Sequence, residues 1–147
     1  MITKIIKTYF ISGHRNISEE NFDKYYAKDL SLIEGKYQYD KAHAIRNKTT
    51  YIEPHYVLGD YEGVDAMAQN FLSYVLNVDP HRITLYYMGN TPMNCADEKY
   101  NRKFGFLTDN ERDEAMTNDS DEDIAYITDE TKWSGTGQNI LRRYKMK

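Results

Sequence analysis

Strand-like and helix-like runs alternate along this chain, and that alternation limits its fold more than any other feature. Ile5 to Ser12 is β-branched and aromatic and ends at Gly13, and Tyr51 to Leu58, Arg82 to Met88 and Asp123 to Thr128 have the same character. Stretches of helical period stand between them. The most regular places Val64, Met67, Ala68, Phe71, Leu72 and Val75 at i, i+3, i+4, i+7, i+8 and i+11. Such alternation predicts a mainly parallel sheet with helices on both faces, an α/β sandwich.

The boundaries follow from local signals. Ser18, with Glu19 and Glu20 behind it, reads as a helix N-cap with acids in the first turn. Phe22, Tyr26, Leu30 and Ile33 continue one face of that helix, which is expected to stop near Gly35. Lys36 to Thr50 shows no clear period and reads as a loop or a short helical insertion. Pro54 limits the start of the second strand, and Asp79-Pro80 breaks the most regular helix. Gly89 to Leu107 reads as one long polar loop, a length usually tied to function. Asp109 is expected to cap a fourth helical run through Asn118, and the last helix follows Ser134.

At 147 residues the chain is most simply one domain, 1–147, able to bury roughly 70% of its unfolded surface without a disulfide or metal. Cys95 is the only cysteine, so no internal disulfide is possible, which fits a reducing cytoplasm. No apolar run approaches about 18 residues, so no membrane span is expected. The stretch MITKIIKTYFISG makes a poor signal peptide, because lysines interrupt it and it lacks a small-residue cleavage site. The four histidines show no metal-ligand spacing, and neither a metal nor a cofactor is expected. With 23 acidic and 19 basic residues the net charge is -4, which argues against nucleic acid as the main partner.

Glycines sit where strands hand over to helices. They lie in Ser12-Gly13-His14-Arg15, in Gly59-Asp60-Tyr61-Glu62-Gly63-Val64-Asp65-Ala66-Met67-Ala68, and in Ser134-Gly135-Thr136-Gly137-Gln138-Asn139. Glycine at such a turn lets backbone N–H groups approach an anion, and the helix N-terminus adds partial positive charge. Arg15 is placed either to meet a phosphate or to lie on the surface. Asp65 is placed either to meet a ligand or to compensate the helix dipole. Asp60, at a strand end, is the stronger functional candidate, whereas Glu62 suits a solvated loop. Arg112 near a helix start is electrostatically unfavourable, which makes sense if it serves an anion, or if it pairs with Asp109 or Glu111. Trp133 is placed either to cover a base or to plug the core.

Taken in order, these stretches resemble the SLOG superfamily of nucleotide-binding domains. Its members read GxR after strand one, GGAxGxDxxA after strand two, RNxxM before strand four and GGxGT after it. Gly13-His14-Arg15, the run Gly59 to Ala68, Arg112 to Met116 and Ser134-Gly135-Thr136 stand at those places. The resemblance implies a Rossmann-like three-layer sandwich with a mainly parallel sheet of about four to five strands. It implies a nucleotide-type ligand, either a phosphorylated nucleoside or an ADP-ribose-like signal. The implied ligand residues are Gly13, Arg15, Gly59, Asp60, Gly63, Asp65, Arg112, Ser134, Gly135, Thr136 and Asn139. The superfamily includes the "lonely guy" phosphoribohydrolases and the DNA-processing protein of transformation, so a nucleotide N-glycosidase and a nucleic-acid adaptor are the alternatives. Those hydrolases use an Arg, which Arg112 matches, and a Glu where Asn139 stands. An amide is no general base, so catalysis would need Asp60, Glu62 or Asp65 beside Arg112. The composition looks phage-like, which suggests a sensor or sequestering protein, and a homo-oligomer is expected.

Overall fold

The computed structural model describes residues 3–127 and 135–146. Five parallel strands form one sheet: β1 (Lys4–Ile11), β2 (Tyr51–Leu58), β3 (Ile83–Met88), β4 (Asn101–Phe106) and β5 (Glu122–Ile124), in the order β4-β3-β2-β1-β5. The result is an α/β Rossmann-like sandwich, with the parallel sheet that the alternation predicts.

Strand periodicity divides the core. Tyr9, Ile11, Tyr56, Leu58, Leu85 and Tyr87 face one side of the sheet, while Phe10, Val57 and Tyr86 face the other. The first side is covered by two long helices. Helix α1 is α-helical over Glu19–Asn21, opens into a π turn over Phe22–Ala27 and runs on as α-helix over Lys28–Asn47. Helix α2 is α-helical over Val64–Asn70 and ends in a π turn over Phe71–Val75. On the second side Met116 of α3 (Asp109–Asn118) packs with Phe10, Val57 and Tyr86. Helix α4 (Gly135–Met146) lies beside α3, tied to it by Arg142 Nη2 donating to Asn110 Oδ1 at 2.7 Å. Among the described residues no helix is long and apolar enough to cross a membrane.

Several boundaries depart from the sequence expectation, each for a physical reason. Helix α1 passes straight through Gly35 and continues to Asn47, because its buried face is Leu30, Glu34, Tyr37 and Ala44. A charged residue, Glu34, holds one of those places at 5% exposure, so apolar periodicity does not reveal the helix. Arg82 compensates it, with Nη2 at 2.6 Å from Oε1 and Nη1 at 2.8 Å from Oε2. Pro54 sits inside β2 rather than at its start. Pairing with β3 begins only at Tyr56, and the Pro54 carbonyl accepts from Arg82 Nη1 at 2.8 Å, so the missing N–H costs no ladder bond. The expected loop from Gly89 to Leu107 contains β4, an edge strand whose residues are exposed up to Gly105. Gly105 has a φ of 84° and the register shifts opposite it, a bulge that blunts the free edge. Val75, expected on the apolar face of α2, is 61% exposed. Strand β5 begins at Glu122 and ends at Ile124, because Tyr126 leaves the sheet to pack its ring on Tyr25 and Tyr26. Thr128 of that expected strand lies outside the described residues.

Candidate functional site

The chain builds β1 to β4 in one direction and then returns to place β5 on the other side of β1. In open α/β sheets such a reversal leaves a crevice beyond the carboxyl ends of the strands. A cleft of about 300 Å³ lies there, walled by the segments after β1 and β2 and by the first turns of α3 and α4.

Glycine is required where these segments meet. A Cβ on Gly13 would lie 2.3 Å from Val64 Cγ2 and 2.6 Å from the Tyr26 hydroxyl. Gly63 has a φ of 79°, and a Cβ there would lie 2.2 Å from the His14 carbonyl oxygen. That carbonyl accepts from Val64 N–H at 3.1 Å, so the turn after β1 is fastened to the start of α2. A Cβ on Gly59 would lie 2.7 Å from Asp65 Oδ2.

Two guanidiniums meet at Tyr61. Arg15 Cζ lies 4.1 Å and Arg112 Cζ 4.3 Å from its ring centre, and the Tyr61 hydroxyl donates to Asp109 Oδ1. Their charge balances differ. Arg112, 4% exposed, faces Asp113 Oδ1 at 3.2 Å, Asp60 Oδ1 at 3.5 Å and Asp109 Oδ1 at 3.8 Å. Its position near a helix start is therefore compensated within the protein. Arg15 is exposed and, among the described residues, has no carboxylate partner.

Two acids of the cleft, Asp65 and Asp113, hold protons unusually well. Burial pushes the Asp65 carboxyl up to about 7, against the opposing pull of the Tyr61 N–H and the Arg112 charge. Burial also raises Asp113, again against Arg112. Asp65 Oδ2 accepts from Tyr61 N–H at 3.2 Å, and Asn139 Oδ1 accepts from Arg142 Nη1 at 2.7 Å.

Of the residues expected from sequence, Gly13, Arg15, Gly59, Asp65, Arg112, Gly135, Thr136 and Asn139 line the cleft. Asp60 does not line it. Its Oδ2 accepts from Met93 N–H at 2.7 Å and its carbonyl from Asn94 Nδ2 at 2.9 Å, so it anchors the segment after β3. Glu62 is exposed and outside the lining, and Gly63 acts behind it as a turn. Ser134 and Trp133 lie outside the described residues. Thr108, not Asp109, caps α3, through Oγ1 accepting from Glu111 N–H at 3.1 Å. That frees Asp109 for Tyr61.

Sequence reasoning missed the polar lining residues Ser12, His14, Tyr61, Asp109 and Asp113. A signal existed for two of them. Asp109, Arg112, Asp113 and Met116 fall at i, i+3, i+4 and i+7, one face of α3. Among the described residues no group of three or more His, Cys, Asp or Glu is placed to hold a metal ion. Comparison with protein-family models, curated proteins and solved structures finds no significant match to this chain.

Proposed function

We propose that the cleft binds a phosphorylated nucleoside or an ADP-ribose-like nucleotide, with the protein acting as a sensor or sequestering protein. The observation that carries this reading is the convergence on one crevice of an arginine that has no carboxylate partner among the described residues, two glycine turns and the first turn of α4. Arg15 supplies the phosphate's countercharge, and Gly135 and Thr136 offer N–H groups at the positive end of a helix. A charge-assisted contact of this kind contributes about 1.5–3 kcal/mol. The volume, about 300 Å³, is at the small end for ligand pockets and favours a mononucleotide within the class. Asn139 supports binding over catalysis, since an amide exchanges no proton near neutral pH and its oxygen is taken by Arg142. Calorimetric titration with ribonucleoside 5′-monophosphates, ADP-ribose and cyclic ADP-ribose isomers tests the reading. Saturable binding of at least one supports it, and binding of none refutes it.

One observation favours a second reading, nucleotide N-glycosidase activity. Of the three acids that could replace the missing glutamate, only Asp65 lines the cleft, and its proton affinity lies near neutral. In that reaction the bond between C1′ and the base nitrogen breaks. Water adds its hydroxyl to C1′, and its proton passes through Asp65 to the departing base. Release of free base by the wild type, abolished in Asp65→Asn, would favour this reading. Recovery of intact nucleotide after long incubation would favour the binder.

A further inference from the structure

Among the described residues four buried side-chain polar atoms have no hydrogen-bond partner: Ser12 Oγ, His14 Nε2, Thr117 Oγ1 and Arg143 Nε. Two of these belong to residues that line the cleft. Buried polar groups are nearly always paired, so these two require an explanation. Ser12 is 6% exposed, and its backbone is fully engaged: its N–H donates to Ile124 O at 3.1 Å and its carbonyl accepts from the Tyr26 hydroxyl at 2.7 Å. The His14 carbonyl is held by Val64 N–H at 3.1 Å. Between them Gly13 has no room for a side chain. The backbone carrying both orphan atoms is therefore pinned on either side, and a shift of the turn does not relieve them.

We infer that Ser12 Oγ and His14 Nε2 hold a hydroxyl of the ligand's pentose. This rests on the reading of the ligand as a phosphorylated nucleoside and names how its sugar is recognised. A hydroxyl both donates and accepts, so it satisfies a serine oxygen and either tautomer of a histidine nitrogen. A phosphate is the poorer occupant here, because Asp65 and Asp113 line the same cleft, whereas the exposed Arg15, without a carboxylate partner among the described residues, gives the phosphate its countercharge. Phe10 and Met116, both 1% exposed, offer apolar surface suited to the C–H faces of a sugar. Asp60, a ligand residue expected from the sequence, is occupied by Met93 N–H and lies outside the lining.

The test uses the four ribonucleoside 5′-monophosphates. The tightest binder is compared by calorimetry with its 2′-deoxy and 3′-deoxy forms, on wild type, Ser12→Ala and His14→Gln. At least one deoxy form is expected to bind about tenfold to a hundredfold more weakly to the wild type. Ser12→Ala should lose a similar factor towards the ribonucleotide and little more towards that deoxy form, which marks the two changes as one interaction. Without nucleotide, Ser12→Ala should melt at or above the wild-type temperature, since it deletes an unpaired buried hydroxyl. His14→Gln carries the affinity comparison if Ser12→Ala folds poorly. Equal affinity for the ribo and both deoxy forms, or wild-type affinity in both variants, overturns the inference and leaves the proposed function standing. Binding of none of the four overturns the inference, and the proposed function falls with it only if ADP-ribose and its cyclic isomers also fail to bind.

Discussion

The Arg15 guanidinium rests 4.1 Å from the centre of the Tyr61 ring and, among the described residues, pairs with no carboxylate. Arg112 touches the same ring but is surrounded by Asp60, Asp109 and Asp113. The two arginines should therefore fail differently. Arg15→Ala is expected to weaken nucleotide binding at least tenfold with a melting temperature close to wild type. Arg112→Ala strands buried acids and should destabilise the fold by about 3–5 kcal/mol, as read in urea denaturation. A stable Arg112→Ala, or full affinity in Arg15→Ala, would reverse these roles.

Asp65 gives the stability a pH dependence. Its carboxyl is raised from 3.8 to about 7 in the folded protein, so between those values the folded state binds more protons than the unfolded one. Stability from this group is fully present below about pH 4, falls as the pH rises towards 7, and stays low above it. Asp65→Asn should abolish that fall and make the protein more stable than wild type at pH 8, by a few kcal/mol at roughly 1.4 kcal/mol per unit. Denaturant melts of both proteins from pH 5 to 8.5 measure it. Parallel pH profiles would show that Asp65 is not the titrating group.

Glycines in this chain carry opposite expectations. Gly35 lies inside α1, and a Cβ there meets nothing within 4 Å, so Gly35→Ala should stabilise by about 0.5–1 kcal/mol. Gly63 combines a φ of 79° with a Cβ position 2.2 Å from the His14 carbonyl, so Gly63→Val should damage folding and binding together. Thermal melts of the two variants should move in opposite directions. Shifts of the same sign would contradict the turn geometry.

The Glu34 and Arg82 side chains bury a charge pair that also receives the Tyr56 hydroxyl at 2.8 Å. Glu34→Ala should cost about 3–5 kcal/mol, because it leaves a buried guanidinium unmatched. Glu34→Leu combined with Arg82→Met should cost less than either partner's loss alone, although the Pro54 carbonyl then loses its donor. A double variant worse than both singles, in denaturant melts, would argue against this pairing.

These residues also show what the sequence could reveal. Strands β1 to β3 and helix α2 are legible because apolar period decides them, and the turns at Gly13, Gly59 and Gly63 because glycine marks each handover from strand to helix. The second half of α1 is hidden, since Glu34 occupies a core position that only Arg82, far along the chain, makes tolerable. Strand β4 is hidden because an exposed edge strand carries no apolar alternation. In the cleft, the identity of Arg112 was legible but its neutralisation by Asp60 was not, because that contact joins segments 52 residues apart. Asp60 looked functional at a strand end, and only the path of the segment after β3 turns it into an anchor.

The most direct measurement is calorimetric titration of wild type and Arg15→Glu with ribonucleoside 5′-monophosphates and ADP-ribose. The account predicts saturable binding of at least one nucleotide to wild type, weakened by added salt and lost in Arg15→Glu, whose new carboxylate would face the phosphate. Failure of every nucleotide to bind wild type, or equal binding to Arg15→Glu, would contradict it.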